Sequence, residues 1–138
     1  MDNHEKWMRV ALQQAEEAQK IGEVPIGAVL VKHDQIVAVA YNRRESDQQA
    51  LAHAELAVIE QACQKLGSWR LLDCTLYVTL EPCPMCAGAI LQARIPTVVF
   101  GARDPKAGCV GSLMNLLNDS RFNHQTEVVE GCLAEECG

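Results

Sequence analysis

Four residues in two short runs carry the chemistry this chain can do. His53-Ala54-Glu55 precedes Pro82-Cys83-Pro84-Met85-Cys86. One imidazole and two thiols are good zinc donors, and Glu55 is not needed to hold a metal. Three protein ligands leave one tetrahedral position open, as a catalytic zinc requires and a structural zinc does not. A carboxylate beside that position can take a proton and return it. Taken alone, a C-x-x-C pair reads as structural zinc or a redox couple. A structural site would need a fourth ligand, and the sequence offers no second C-x-x-C and no H-x-x-x-H. Glu55 alone would read as a surface helix residue. The same donors also accept iron.

The elements that must position these residues alternate between helix and strand. Apolar residues recur at helical spacing over 3–21 (Trp7, Val10, Ala11, Ala15, Ala18), and Gly22 stops that helix. Two β-branched runs, 26–31 and 36–41, are joined by His33-Asp34-Gln35 and read as a hairpin. A polar loop follows at 42–49. A helix over 52–66 turns Leu56, Ile59, Ala62, Cys63 and Leu66 to one face and closes at Gly67. The spacing then predicts a strand at 75–80, a helix at 83–93 with Pro84 in its first turn, and a strand at 97–100. After a glycine-rich loop at 101–111, a short helix capped by Ser112 is expected over 112–117, and a last strand over 126–130. Strands separated by helices predict an α/β sandwich with helices on both faces of the sheet. The hairpin makes the first pair antiparallel, so the sheet should be mixed.

Both halves of the motif fall at helix starts. Cys83 and Cys86, three apart, project to one side of the first turn. If the two helix N-termini face each other, the ligands converge, and the helix ends favour thiolates. A zinc held by two thiolates and a neutral histidine acidifies its water less than one held by three histidines. A nearby base is then more useful, and Glu55 is the obvious one. Glu55 would take a proton from a metal-polarised water attacking an amidine-type ring carbon, C6 of adenine or C4 of cytosine. It would pass that proton to the ring nitrogen and on to the leaving amine.

At 138 residues the chain reads as one domain, long enough to bury a core. Seven cysteines could suggest a disulfide scaffold, but the count is odd and the spacing irregular. Cys63 and Cys74 read as small core residues, while Cys109, Cys132 and Cys137 have no obvious role. A net charge of −6 argues against a broad nucleic-acid-coating surface. Local patches remain possible at Arg43-Arg44 and in the group Arg103, Lys106, Arg121 and His124. The polar, acidic start and the lack of a long apolar run predict a cytoplasmic protein with no membrane partner.

The pattern H-x-E…P-C-x-x-C resembles the cytidine deaminase-like superfamily and, more closely, the bacterial tRNA-specific adenosine deaminases. The similarity runs over nearly the whole chain. It includes Gly22-Glu23-Val24-Pro25-Ile26-Gly27, Gly67-Ser68-Trp69-Arg70-Leu71 and Thr79-Leu80-Glu81-Pro82-Cys83. Phe100-Gly101-Ala102-Arg103-Asp104-Pro105-Lys106 and Gly111-Ser112-Leu113-Met114-Asn115 also match. The zinc motif is specific to the superfamily, whereas the segments after residue 100, with Asn123-His124, are similar to the tRNA enzymes.

The resemblance implies a three-layer α/β/α sandwich around a central mixed five-stranded sheet. It implies one zinc per subunit on His53, Cys83 and Cys86, with Glu55 as the proton shuttle. The reaction would convert adenosine to inosine at the wobble position of a tRNA anticodon, releasing ammonia. Asn42, Ala54 and Pro82 would contact the target base, and Asp104 and Lys106 would lie along the anticodon loop. Arg44, Asn123 and His124 are weaker candidates for RNA contact. Without the resemblance, Asn42 and Asp104-Pro105 read equally well as turn residues. A homodimer with its interface near the active sites is also implied. Family members usually continue past the 136–137 region into a helix with paired phenylalanines and a basic tail, which would add positive charge and RNA contacts. Two other functions compete. A free guanine, cytosine or nucleoside deaminase would share the zinc and Glu55, and a silent zinc subunit would serve only as a binding partner.

Overall fold

The computed structural model describes residues 3–138. Helix α1 (Asn3–Lys20) leads into strands β1 (Gly27–Lys32) and β2 (Gln35–Tyr41). The turn between the strands places His33 and Asp34 at φ 49° and 62°, the mirror-image turn that matches strand twist. After a one-turn helix α2 (Arg44–Asp47) come α3 (Ala54–Leu66), β3 (Cys74–Leu80), α4 (Pro84–Gln92) and β4 (Thr97–Ala102). A 3-10 turn at Leu116–Asn118, β5 (Glu127–Val129) and a one-turn α5 (Ala134–Cys137) complete the chain.

The five strands lie in the order β2-β1-β3-β4-β5. β1 is antiparallel to both β2 and β3, whereas β3–β4 and β4–β5 are parallel, so the sheet is mixed as expected. The period-two alternation of side chains creates two cores. Ala28, Leu30, Leu76, Val78, Val98 and Phe100 pack against Ala54, Val58 and Ala62 of α3 and Ala87, Ile90 and Leu91 of α4. Val29, Val31, Tyr77 and Val99 face the other way, onto Trp7, Met8 and Ala11 of α1, Leu133 just ahead of α5 and Cys137 within it. The strands read as apolar runs because both faces of the sheet are covered. Gly27 lets α1 lie directly on β1. A Cβ there would run into the Ala11 carbonyl and the Ala15 amide.

Three expectations need correction. No helix forms over 112–117; only Leu116–Asn118 turns, as a 3-10 segment, because the Ser112 hydroxyl is drawn to Glu81 instead of capping. The 42–49 segment is not all loop but contains α2. The predicted helices start later, at Ala54 and Pro84, which leaves His53 and Cys83 in the N-cap positions. Cys74 is buried in the first core, with Cys63 packed against it, as expected.

The register decides where a site can form. Parallel pairing sets Leu80 beside Ala102, so the residues after β3 and β4 leave the sheet at one edge. Gly27 pairs with Tyr41 across the antiparallel hairpin, which brings the start of β1 and the end of β2 to that same edge.

Candidate active site

His53 and Cys83 each occupy an N-cap in extended backbone conformation, with ψ 150° and 175°. Their carbonyls accept the first helical bonds, from the amides of Ala57 at 3.1 Å and Ala87 at 2.8 Å. Neither side chain caps its helix, so both are free to turn inward. Pro84 in the first turn of α4 fixes the entry angle, and Cys86 follows in the same turn, fully buried. His53 Nδ1 lies 3.7 Å from Cys83 Sγ and 3.5 Å from Cys86 Sγ. All three donor atoms fall within 4.8 Å of one another. Zinc bonds of about 2.3 Å to sulfur and 2.0–2.1 Å to nitrogen, at tetrahedral angles, place such donors roughly 3.6 Å apart. The donor set therefore fits a tetrahedral zinc with one open position.

The two thiols are unequal as a pair. The Cys86 hydrogen bond pulls Cys83 down to about 5, against burial and with help from backbone amides and the His53 charge. Cys86 is pushed up by the reciprocal hydrogen bond and by burial. A cation held where the three donors meet would favour the thiolate form of both. Glu55, 4% exposed, stands at the start of α3 beside them. Burial raises its carboxyl to about 7, and the neighbouring Cys83 charge adds to the shift. A buried carboxyl tuned near neutrality is suited to both accept and donate a proton.

A cavity of about 270 Å3 opens over this group, and Asn42, Arg44, His53, Ala54, Glu55, Cys83 and Asp104 all line it. Asn42 is buried, with its Oδ1 accepting from the Arg44 amide at 3.2 Å and its Nδ2 donating to the Val24 carbonyl at 3.4 Å. Asp104 Oδ1 accepts from the amides of Lys106 at 3.0 Å and Ala107 at 3.2 Å. Both residues thus make a turn and face the cavity. Pro82 is buried away from the lining, its carbonyl accepting from the Cys109 amide at 2.9 Å. Lys106 is exposed, outside the lining.

Asn123 and His124 are not brought to the cavity. His124 Nε2 sits 2.8 Å from the Ile95 carbonyl and 3.1 Å from Thr126 Oγ1, ahead of β4 and β5 and so at the opposite edge of the sheet. A six-residue strand separates the two edges by about 20 Å. The basic grouping of Arg103, Lys106, Arg121 and His124 is thereby split. Arg103 pairs with Glu130 and Arg121 with Asp119, so neither presents an unpaired charge.

Two buried carboxylates that the sequence reading passed over also border the cavity. Glu23 accepts from the amides of Glu45 at 3.3 Å and Ser46 at 2.5 Å, closing the start of α2. Glu81 accepts from the amides of Asp104, Val110 and Ser112 and from the Ser112 hydroxyl. The only signal for Glu81 in the sequence is a charged residue wedged between an apolar strand and Pro82-Cys83.

Comparison with known proteins agrees with this geometry. The family model of MafB19-like deaminases matches residues 2–136. The tRNA-specific adenosine deaminase of Bacillus subtilis (strain 168) is 59% identical over 138 residues, covering 100% of this chain and 86% of that protein. That of Streptococcus pyogenes serotype M1 is 48% identical over 131 residues, covering 95% and 77%. A solved structure from work on A-to-I editing by tRNA:A34 deaminases at the wobble position of transfer RNA superposes with a TM-score of 0.91 at 44% identity, over 96% of each chain. A guanine deaminase from Bacillus subtilis superposes less completely, with a TM-score of 0.71 at 41% identity, over 75% of this chain and 66% of that one. By sequence and by fold, the chain belongs to the MafB19-like deaminase family and groups with the tRNA-specific adenosine deaminases.

Proposed function

We propose that this chain is a zinc-dependent hydrolase that converts adenosine to inosine at the wobble position of a tRNA anticodon and releases ammonia. The observation that carries the reading is the approach of His53 Nδ1 to two thiols at 3.5 and 3.7 Å, with the buried Glu55 carboxyl beside them under an open cavity. The activity named for the relatives, at up to 59% identity over the full chain, supports the substrate.

His53, Cys83 and Cys86 would hold the ion. Zinc bound there supplies a Lewis acid that makes water acidic enough to attack at neutral pH. A Glu55 oxygen takes the proton of the attacking water, returns it to N1 of the purine, and then helps protonate the departing amine. Adenosine and water thus become inosine and ammonia, with no other reactant. Asn42 would hydrogen-bond the base from the cavity wall, with Ala54 contributing a contact from the same lining, while Pro82 stays behind the wall. Arg44, Asp104 and Lys106 would follow the RNA at the rim.

A cavity of about 270 Å3 suits one unstacked base and not a duplex. An anticodon loop offers a base that is already partly splayed, which lowers the cost of entry. Among the described residues, no helix is long and apolar enough to cross a membrane. A cytoplasmic homodimer is the assembly proposed.

The test is inosine formation in an anticodon stem-loop carrying adenosine at the wobble position, run beside free adenosine, guanine and cytosine. The expected result is inosine in the stem-loop alone, lost on chelation and restored by zinc. Turnover of a free base with an untouched stem-loop would instead assign the chain to the small-molecule deaminases, a reading the guanine deaminase likeness supports.

A further inference from the structure

We propose that Glu81 is a positioning residue that fixes the 103–112 loop as a wall of the active site, and so sets how tightly the substrate is held. The inference rests on the site assigned above.

Glu81 leaves the end of β3 two residues before Cys83, and its amide donates to the Ala102 carbonyl at 2.9 Å. The backbone is thus tied to both the Cys83 segment and the end of β4. The side chain, 2% exposed, extends into the loop that follows β4. Oε1 accepts from the Asp104 amide at 3.0 Å and from the Ser112 hydroxyl. Oε2 accepts from the amides of Val110 and Ser112, both at 2.9 Å. One carboxylate therefore gathers the start of the loop, at 104, and its end, at 110 and 112. The loop closes around it tightly enough that a Cβ on Gly108 would run into the carboxyl group.

A carboxylate saturated by four donors defines one loop geometry, where apolar packing would tolerate several. Asp104 and Ala107 of this loop line the cavity, and Glu81 borders it too. The distance from Cys83 to that wall is thus set through Glu81. Removing the acceptor leaves buried amides without partners, so the loop must open to find water. A residue serving stability alone would lower the unfolding temperature and leave the Michaelis constant unchanged. A positioning residue moves KM.

The test uses Glu81→Gln, which keeps the shape and replaces one acceptor oxygen with a donor facing donors. Zinc content, amide hydrogen exchange and kinetics on the anticodon stem-loop are measured on the full chain. The expected result is retained zinc, loss of about tenfold in exchange protection at Asp104, Val110 and Ser112, and a KM raised by about tenfold, with kcat within about threefold. Unchanged exchange at those amides overturns the proposal, as does a loosened loop with unchanged KM. If Glu81→Gln does not fold, Ser112→Ala removes a single donor and should shift the same readouts in the same direction by about threefold. If the parent chain edits no stem-loop but turns over a free base, the proposed function fails by itself. The same KM comparison on that base then decides the role of Glu81.

Discussion

Glu55 and Glu81 are both almost fully buried and both border the same cavity, yet their carboxyls are shifted in opposite directions. At the start of α3, Glu55 has few donors around it, and burial lifts it to about 7. At the end of β3, burial also pushes Glu81 upward, but the Ser112 hydroxyl and three backbone amides outweigh it and hold the carboxyl below its usual range. The difference lies in the donor count. A group meant to carry a proton is left short of donors, and a group meant to hold a loop is saturated with them.

The strongest way to test this contrast is to remove the titrating oxygen. Glu55→Gln should lower turnover by about 10²–10⁴-fold while the protein still holds zinc; rate and metal content measured on one preparation check both halves. Retained activity would show that Glu55 carries no proton.

The next test separates the two carboxylates by pH. Glu55 has a folded value above its unfolded value of about 4.3, so its burial costs stability as pH rises from there to about 7, and the cost is constant above. In the metal-free protein, Glu55→Gln should therefore unfold at a higher temperature than the parent at pH 8 and at the same temperature near pH 4. Glu81 is shifted the other way, so its stabilisation is present above about pH 4.3 and is lost as pH falls through its lowered folded value. Glu81→Gln should be the less stable protein at pH 8, with the gap narrowing in acid. Thermal unfolding should show differences of roughly 2–8 °C with opposite signs. Equal signs would break the contrast.

The smallest effect belongs to a surface ion pair. Asp119 is held down to about 2 by the hydrogen bond from the Arg121 side chain, with little contribution from burial. Arg121→Ala should return its titration, followed by NMR, toward the ordinary carboxylate value and lower the unfolding temperature only slightly at neutral pH, with the loss vanishing in acid.

Much of this site could be read from the sequence because its parts are close along the chain. His53 and Glu55 are two apart and Cys83 and Cys86 three apart, spacings that fix a common side of one turn. The strands were equally legible as β-branched runs, and the hairpin was enough to show that the sheet is mixed, but the order β2-β1-β3-β4-β5 came only with the structure. Glu81 was not legible. Its partners lie 23 to 31 residues away, and three of the four donors are backbone amides, which look alike in every residue. Ser112 misled for a related reason. A serine before an apolar run is a good helix cap, but here a buried carboxylate competes for its hydroxyl. His124 is a weaker candidate for RNA contact on the resemblance alone. The parallel pairing of β4 and β5 sets it at the far edge of the sheet from the cavity.

That two-edged sheet leaves the molecule with a face that can be rebuilt. The turn at His33 and Asp34, the 67–73 loop and the approaches to β4 and β5 all sit at the edge away from the cavity. Trp69 and Leu72 are exposed there. A flexible insertion in a surface loop costs only about 0.6 kcal/mol for each doubling of its length. A reporter, an affinity tag or a tethering domain grafted into the 67–73 loop would therefore ride on the enzyme a full strand's length from the chemistry.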